Sequence, residues 1–299
     1  MSIGVVIVTF NRINKLKKAL ETFDLQTVLP DYVVVVNNAS TDNTLNYLNE
    51  WKNKKSTYSK YVITTKKNLG GSGGFYTGLK FAQNLKSKWI WVSDDDAFPE
   101  KNALEIAQKY LDEKKVSAVC GSVINNGRFD IVHRRNYFLR HNKVIPLPVP
   151  EEEYLKKEYF KIKCFSYVGT IINRDKLKLV GLPRKEYFIW FDDTEHSLRL
   201  SKVGTILCVP SIKVHHDVRT STNVVSWKNY YGIRNTADMY RRHFSSRYYY
   251  RYCYANLFKS YINIAFNRKK KYNIMRKKAI FDAMHKKMGI NDVYKPGWK

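Results

Sequence analysis

Runs of apolar residues alternate with amphipathic segments along the N-terminal part of the chain. Continuous β-branched runs are typical of strands that are buried on both faces of a parallel sheet. They predict strands over 3–10, 31–40, 60–68 and 89–92, with helices over 12–26, 41–53 and 70–85 between them. Because strands alternate with helices, we expect an α/β fold with right-handed βαβ units and a mostly parallel, nucleotide-binding type of sheet.

The pattern changes after about residue 115. It predicts strands over 116–125 and 205–217, a strand and short helix over 164–181, a helix within 183–204, and an irregular, proline-interrupted stretch over 128–160. Beyond residue 226 the sequence is helical, basic and aromatic. Since no linker-like stretch interrupts the earlier part, we predict a catalytic-type domain over 1–225 and a basic helical C-terminal region over 226–299.

Composition narrows the class of protein. The 299 residues have 44% hydrophobic content, which is enough for a large core. Four cysteines lie far apart without a CxxC pair, so we expect reduced thiols in a cytosolic protein and no zinc site. The start, "MSIGVVIVTFNR", lacks the basic leader of a signal peptide, and no apolar run is long enough to span a bilayer.

The net charge of +27 would attract polyanions such as nucleic acid, anionic lipid or phosphorylated substrates. Residues 236–299 carry 16 Lys and Arg against 3 Asp and Glu. A codon bias toward Lys, Asn and Tyr explains part of the excess but not this clustering. Over 241–289 aromatic residues interleave with Arg and Lys, which suits either a packed helical appendix with a solvated face or an anchor at an anionic membrane surface.

Three successive carboxylates, Asp94, Asp95 and Asp96, follow the predicted strand "WIWV". Alternation along a strand puts Asp94 and Asp96 on one side of the chain. At the carboxyl end of a parallel strand, such ligands suit Mg²⁺ or Mn²⁺ that also binds phosphate oxygens. The alternative is an acidic loop that caps the next helix. In "VHHD", His215 and His216 point to opposite sides of an extended chain, and one of them could complete the metal site.

Two further motifs are candidates for chemistry. "NLGGSGGF" (68–75) suits a loop close to phosphate or a tight turn that lets a helix pack closely, and it lacks the Lys-Ser/Thr of a P-loop. "WFDDTEHSLRL" (190–200) offers Asp193 or Glu195 as a general base, with Arg199 one turn after Glu195. The alternative for the second motif is a helix start in which Asp192 and Glu195 form a capping box.

Together the ordered motifs resemble family-2 glycosyltransferases of the GT-A fold. "VVIVTFNR", "VVVVNNASTDNT", "NLGGSGGF", the strand-end "DDD", "WFDDTE" and the later His occur in the family's order over about residues 3–217. "YYGIRN" (230–235) is similar to a segment that follows the catalytic domain in such enzymes. The chain is most similar to bacterial galactofuranosyltransferases and rhamnosyltransferases that build cell-surface polysaccharides such as O-antigen or capsule.

The resemblance implies a role for each matching residue. Nucleotide and donor binding would involve Thr9, Asn11, Asn37, Asn68, Gly73, Asp94 and Asp95. The divalent cation, Mn²⁺ or Mg²⁺, would be held by Asp94, Asp96 and His216. Asp193 would be the catalytic base, and Trp190, Asp192 and Glu195 would bind the acceptor.

The implied reaction is a single in-line displacement that inverts the anomeric carbon. The cation neutralises charge on the departing nucleoside diphosphate, and Asp193 deprotonates an acceptor hydroxyl on the opposite face of the sugar. Galactofuranose on UDP is the favoured donor, with rhamnose as the alternative sugar. The family usually has Asp where this chain has Asn37, and since an amide can donate as well as accept, cytidine is less excluded than usual.

The resemblance also implies partners and a location. We expect a nucleotide-sugar donor, a lipid-linked glycan acceptor and an anionic membrane surface, with the protein cytoplasmic and peripheral at the inner face of the cell membrane. A basic nucleic-acid-binding protein is the alternative from another class. The acidic motifs argue against nucleic acid as a partner, because strand-end aspartates repel phosphates unless a metal is present.

Overall fold

The computed structural model describes residues 1–112, 114–217 and 225–298. Its strands are β1 (Ile3–Thr9), β2 (Tyr32–Asn37), β3 (Ser59–Thr64), β4 (Trp89–Asp94), β5 (Ala97–Pro99), β6 (Val116–Asn125), β7 (Arg128–Phe129), β8 (Arg134–Arg140), β9 (Lys143–Pro148), β10 (Phe160–Ile162), β11 (Cys164–Phe165), β12 (Thr170–Asn173) and β13 (Thr205–His216). Its helices are α1 (Ile13–Asp24), α2 (Thr44–Asn53), α3 (Gly70–Ala82), α4 (Ala103–Gln108), α5 (Glu151–Lys156), α6 (Arg174–Val180), α7 (Asp192–Leu200), α8 (Lys228–His243), α9 (Ser246–Ala265) and α10 (Lys270–Met284).

The main sheet has the order β10-β13-β6-β12-β4-β1-β2-β3, with β5 paired to β13 and β7 to β6. Strands β4, β1, β2 and β3 are parallel, as the sequence predicts, and β6 is parallel to β13. Strand β12 runs antiparallel between β4 and β6. Parallel pairing brings the carboxyl ends of β1, β2 and β4 to one edge of the sheet, which is where open α/β sheets bind ligands.

Helices cover both faces of the sheet, and this explains the continuous apolar runs. Along β1, Val5 and Ile7 pack on one side with the helices α1, α2 and α4. Val6 and Val8 pack on the other side with α3 and with side chains of α5, α6 and α7. Because successive side chains of a strand alternate between faces, a strand covered on both sides has no polar face.

The prediction that 128–160 is irregular was wrong. Strands β8 and β9 form a hairpin in register from Arg135 opposite Pro148 to Arg140 opposite Lys143, and β11 extends it to a second sheet. The two residues of its turn, His141 and Asn142, both have positive φ, as two-residue hairpin turns require. The prolines in β9 are tolerated because β9 is an edge strand of this sheet.

The C-terminal region is helical, as predicted. Helices α8, α9 and α10 pack on one another through Ala237, Met239, Cys253 and Ile280, and side chains of β9 and α7 join the same cluster. The predicted division at residue 225 directly follows 218–224, which lie outside the described residues, and it stays a prediction. None of the described helices is both long and apolar enough to cross a membrane.

Gly70, the first residue of α3, lies against the chain that precedes α7. Its φ is +71°, and a Cβ at this position would be 2.0 Å from the carbonyl oxygen of Phe188. The amide of Ser72 donates a hydrogen bond of 3.2 Å to that same carbonyl. At Gly71 an added Cβ would meet nothing within 4 Å. The glycine-rich motif therefore allows α3 to approach residue 188 closely.

Gly70→Ala should lower the free energy of unfolding by roughly 2–4 kcal/mol, because it adds both a positive-φ penalty and a backbone clash. Gly71→Ala is the matched control and should change it by about 1 kcal/mol or less, since alanine favours the helix. Urea unfolding of the two variants measures both values. Equal losses in the two variants would show that the close approach at Gly70 does not matter for stability.

Candidate active site

A cavity of about 280 Å³ opens at the carboxyl ends of β1 and β4, and we call it the strand-end cavity. It is lined by Val8, Thr9, Phe10, Arg12, Asn38, Asn68, Gly70, Gly71, Asp94, Asp95, Phe188, Ile189, Trp227, Lys228 and Pro296. One wall comes from the parallel sheet and the glycine motif. The opposite wall comes from the start of α8 and from the end of the chain, so two regions far apart in sequence build one cavity.

Arg12 is the cation that the strand-end aspartates contact directly in this structure. Its Nη1 lies 3.2 Å from Asp95 Oδ1 and 2.6 Å from Asp96 Oδ2. The hydroxyl of Thr9 donates a hydrogen bond of 2.7 Å to the other oxygen of Asp95. Burial nevertheless raises the pKa of Asp95 to about 6. Sequence reasoning missed Arg12, although its position just after β1 places it at the same sheet edge.

Asp94 carries the least compensated charge of the three. Burial, followed by repulsion from Asp96 and Asp95, raises its pKa well above the usual value. At Asp96 burial acts in the same direction, but the hydrogen bond from His216 and the charge of Arg12 outweigh it and lower the pKa. The three clustered carboxylates can carry more negative charge than half-exposed Arg12 neutralises, so a further cation would stabilise this edge of the sheet.

The residues fit a hard divalent cation. Asp96 Oδ1 lies 3.4 Å from His216 Nε2, and the other ring nitrogen of His216 is buried without a hydrogen-bond partner in the described structure. Carboxylate oxygens and an imidazole suit Mn²⁺ or Mg²⁺, which commonly complete their coordination with phosphate oxygens. Within the described residues no three His, Cys, Asp or Glu side chains converge tightly enough to hold an ion by themselves. Water or phosphate oxygens would therefore have to complete the coordination.

The two histidines of "VHHD" separate as strand alternation predicts. His216 is largely buried beside Asp96, and its ring packs edge-on against that of His133. His215 is on the other side of the strand, where its Nε2 lies 3.1 Å from Glu100 Oε1 and half of its side chain is exposed. The structure thus brings His216, and not His215, to the acidic edge.

The residues predicted to bind the donor divide into two groups. Thr9, Asn68, Asp94 and Asp95 line the strand-end cavity. The other three do not line it, and their part in donor binding stays a prediction. Asn37 is fully buried with its Oδ1 bonded to the amide of Ser40, Asn11 closes an exposed loop onto Thr41, and Gly73 lies inside α3 against Leu69.

Asn38, which sequence reasoning did not single out, lines the cavity beside Asn68. Its Nδ2 donates to Asn68 Oδ1 at 3.2 Å and to the Gly70 carbonyl at 2.9 Å. Its Oδ1 accepts the amide of Leu69 at 2.9 Å. Asn38 therefore fixes the glycine-rich turn relative to the end of β2. The sequence pattern did not distinguish Asn38 from its neighbour Asn37.

The second acidic motif supplies two carboxylates close to the first. Asp192 and Asp193 are the first residues of α7, and the charge of Asp192 is near enough to raise the pKa of Asp94. Burial and the neighbouring Asp193 raise the pKa of Asp192 to about 8. Burial also raises the pKa of Asp193, against the opposing charge of Arg135. The predicted capping box is absent, because Phe191 is the N-cap and makes no side-chain bond.

The prediction that Glu195 contacts an acceptor was wrong. Glu195 is fully buried and forms ion pairs with Arg199 at 2.9 Å and Arg184 at 3.0 Å, and His243 Nε2 lies 3.0 Å away. Burial would raise its pKa, but the hydrogen bond from His243 and the charge of Arg199 lower it. Glu195 thus joins α7 to α8. Trp190, by contrast, is 43% exposed and remains available to an acceptor.

The turn before α7 has a strained backbone. Phe188, Trp190 and Phe191 all have positive φ, which non-glycine residues rarely adopt. The side-chain amide of Asn235 donates to the carbonyls of Tyr187, Ile189 and Trp190 at 2.9–3.0 Å. Arg234 adds bonds to the carbonyls of Glu186 and Tyr187. The last two residues of "YYGIRN" therefore hold the turn that places Asp192 and Asp193.

Comparison with known proteins identifies the family. Residues 4–181 match the sequence profile described as Glycosyl transferase family 2. The chain belongs to glycosyltransferase family 2. Galactofuranosyltransferase GlfT1 of Mycolicibacterium smegmatis is 36% identical over 204 residues, which is 67% of this chain and 65% of that protein. GlfT1 of Mycobacterium tuberculosis, strain CDC 1551, is 27% identical over 209 residues, or 68% of this chain and 66% of that protein.

A solved structure supports the fold of this family-2 chain. The crystal structure of GalNAc-T7 with UDP, GalNAc and Mn²⁺ superposes with a TM-score of 0.65 at 16% identity, covering 95% of this chain and 56% of that one. The predicted GT-A architecture, a mixed α/β sheet with flanking helices followed by a helical C-terminal region, is confirmed. The matches to GlfT1 span slightly less than two thirds of the length of those relatives.

Mn²⁺ should bind this family-2 chain in the presence of UDP, and His216→Ala should weaken that binding at least tenfold because an imidazole ligand is lost. His215→Ala, on the opposite side of β13, is the matched control and should leave Mn²⁺ affinity unchanged. Electron paramagnetic resonance of free Mn²⁺ measures both. Equal affinity in the two variants would remove His216 from the metal site.

Proposed function

We propose that this chain transfers galactofuranose from UDP-galactofuranose to a lipid-linked glycan acceptor by a divalent-metal-assisted displacement with inversion at the anomeric carbon. The observation that carries the proposal is the approach of two acidic motifs to each other at the carboxyl end of β4. Asp94 ends β4 and is followed by Asp95 and Asp96, and Asp192, the first residue of α7, is close enough for its charge to raise the pKa of Asp94. An inverting transferase needs one acidic group for the departing diphosphate's cation and a separate one for the acceptor proton.

The two motifs would have different tasks. Asp94, Asp96 and His216 would hold Mn²⁺ or Mg²⁺, which when bound neutralises the negative charge on the nucleoside diphosphate. Thr9, Asn68 and Arg12 line the same cavity and would orient the donor. Lys228 also lines it, and burial lowers its pKa, so its ammonium lies in a partly dehydrated position suited to phosphate.

Asp193 would accept the proton of the attacking hydroxyl. Burial raises its pKa, which makes the carboxylate a stronger base than an exposed aspartate. The charge of Arg135, whose Nη2 donates to Thr194 Oγ1 at 3.0 Å, opposes that rise. Trp190 is exposed and lies three residues before Asp193 in the sequence, and it would provide an apolar surface for an acceptor sugar ring.

The comparisons favour the proposed donor, and the charge of the C-terminal region favours an acceptor at a membrane. The mycobacterial relatives are named as galactofuranosyltransferases, and the solved neighbour contains UDP and Mn²⁺. The excess of positive charge in 236–299 suits an anionic membrane surface. Arg268, Lys269, Lys270 and Lys271 are all exposed at the turn between α9 and α10, where they could reach such a surface together. We therefore propose that the enzyme acts peripherally at the inner face of the cell membrane.

A donor screen with Mn²⁺ tests the function. Among UDP-galactofuranose, dTDP-rhamnose, UDP-glucose and UDP-galactose, only UDP-galactofuranose should be consumed in the presence of acceptor. Nucleoside diphosphate release, with the product anomer assigned by NMR, reports both transfer and inversion. Consumption of dTDP-rhamnose instead would reassign the enzyme as a rhamnosyltransferase, and a product that retains the anomeric configuration would contradict the single displacement.

Asp193→Asn provides the decisive variant for this screen, because it keeps the shape and removes the proton acceptor. Its turnover should fall by about 10²-fold or more while donor affinity survives. Asp192→Asn is the control: turnover should persist and the rising limb of the kcat–pH profile should stay where it is, because Asp192, with a pKa of about 8, is already mostly protonated over that limb. If Asp192→Asn is the inactive variant, the base is Asp192.

The membrane location is tested by neutralising Arg268, Lys269, Lys270 and Lys271 to Gln. The native protein should cosediment with anionic liposomes, and added salt should weaken the binding because exposed charges are screened. Each engaged cation contributes roughly 1 kcal/mol, so the fourfold variant should bind at least 10²-fold more weakly. Activity on a short soluble acceptor should not change. Binding that resists both salt and the substitutions would contradict an electrostatic anchor.

A further inference from the structure

A second cavity, of about 330 Å³, lies where the β8–β9 hairpin meets α8 and α9, and we call it the hairpin cavity. It is lined by Asn142, Lys143, Val144, Ile145, Pro146, Tyr240, Tyr248, Arg251, Tyr252, Ala255 and Asn256. None of these residues lines the strand-end cavity. The hairpin cavity is therefore a separate site that the proposed transfer reaction does not use directly.

The walls of the hairpin cavity are apolar in effect. The hydroxyl of Tyr240 donates to the Val144 carbonyl at 3.2 Å, and that of Tyr252 donates to the Ile233 carbonyl at 3.5 Å. The side-chain amide of Asn256 donates to the Tyr252 carbonyl at 2.8 Å. Because these polar groups already have backbone partners, the wall offers ring faces and aliphatic carbons rather than the free donors and acceptors that a sugar requires.

The mouth of the cavity is basic. Lys143 and Arg251 are exposed lining residues, and neither has a carboxylate partner among the described residues. No lining residue is acidic. An apolar interior with two free cations at its rim complements a hydrocarbon chain that carries an anionic head group.

The strand that pairs with the β9 wall of the hairpin cavity also exposes apolar side chains. On β8, Phe138 and Leu139 are about half exposed, and they pair with Ile145 and Val144, which line the cavity. Aromatic and aliphatic side chains flanked by basic residues are suited to the depth of lipid head groups. The cavity thus opens at a surface from which a lipid chain could enter it.

Strand β8 leads from this cavity to the proposed base. Arg135, near the start of β8, bonds to Thr194 beside Asp193, and Asn142 lies seven residues further on, just past the end of β8. Measured along β8 at about 3.3 Å per residue, the cavity wall begins roughly 7 Å beyond Arg135, where Pro146 pairs with Tyr137, and ends roughly 20 Å beyond it at Asn142. A head group of one to a few sugars could span that separation between a lipid chain in the cavity and a hydroxyl at Asp193.

We propose that the hairpin cavity binds the phosphate-linked hydrocarbon chain that anchors the glycan acceptor. Val144, Pro146 and the rings of Tyr240, Tyr248 and Tyr252 would enclose the chain, and Lys143 and Arg251 would bind its phosphate. The identity of the chain as the acceptor's anchor rests on the proposed transferase function. The chemistry of the cavity itself does not, and the two can be tested apart.

Titration calorimetry with n-alkyl phosphates from six to sixteen carbons, each below its critical micelle concentration and without donor, tests the cavity. Binding should be saturable with one site per protein molecule. Affinity should rise about fourfold for each methylene, as burial of a CH₂ group implies, and should stop rising once the chain outgrows the cavity. A rise that continues through sixteen carbons, or the absence of saturable binding, would overturn the proposal. Inorganic phosphate should bind at least 10²-fold more weakly than dodecyl phosphate.

Matched variants on α9 localise the site. Ala255→Trp fills the cavity and should weaken dodecyl phosphate binding at least tenfold, while Ala265→Trp, exposed on the same helix outside the cavity, should not. Arg251→Gln should weaken binding of the phosphate, and Lys259→Gln, exposed outside the cavity, should not. Circular dichroism verifies that each variant is folded. Equal effects of Ala255→Trp and Ala265→Trp would refute the cavity as the binding site.

Kinetics then identify the natural occupant. Ala255→Trp should raise KM for a lipid-linked acceptor at least tenfold and leave KM for a short soluble acceptor unchanged. If the variant loses alkyl phosphate binding but keeps KM for the lipid-linked acceptor, the occupant is a membrane lipid and the acceptor assignment is wrong. If the protein turns over no donor at all, the transferase proposal fails, and the calorimetry still decides whether the cavity binds a hydrocarbon chain.

Discussion

The candidate active site depends on the strained turn that precedes α7. Phe188, Trp190 and Phe191 hold positive φ angles, each of which costs on the order of 1–3 kcal/mol. The side-chain amide of Asn235 has two hydrogens to share among its three carbonyl contacts, so it contributes about 1–3 kcal/mol in total. Burial of Tyr187 and Phe188 adds roughly 1.5–3 kcal/mol per side chain. Packing and hydrogen bonding therefore hold the turn together, and both position Asp192 and Asp193.

A second constraint is the crowding of negative charge at the same place. Three aspartates lie at one edge of the sheet with Asp192 of α7 close to Asp94, and burial with mutual repulsion raises the pKa of several of them. Arg12, Lys15 and His216 compensate only part of this charge, chiefly at Asp96. Like charges that are buried together cost stability unless a ligand changes the balance. The cation and diphosphate of the proposed reaction would do so, which accounts for a destabilising cluster at this position.

The sequence pattern was sufficient for features that rest on local rules. Buried runs predicted the parallel strands, strand alternation separated His216 from His215, and the strand-end position of Asp94 and Asp96 predicted the acidic edge. Features set by distant contacts could not be predicted in this way. Arg12, Asn38 and Asn235 look like ordinary polar residues until the fold brings them to their partners. The sequence did not reveal that Glu195 is buried, because the four-residue spacing to Arg199 is the same for a buried ion pair and for an exposed one.

The C-terminal region is part of the site as well as an addition to the fold. Trp227, Lys228 and Pro296 form one wall of the strand-end cavity, and Tyr294 stacks on Tyr230 to hold the end of the chain there. Arg234 bonds to the carbonyl of Gly289, so α8 fixes the last segment and the turn before α7 through neighbouring residues. The hydrogen bonds that shape the turn therefore also close the cavity. A change in the packing of α8 would alter the wall of the strand-end cavity and the turn before α7 together, because both are attached to the same two turns of one helix.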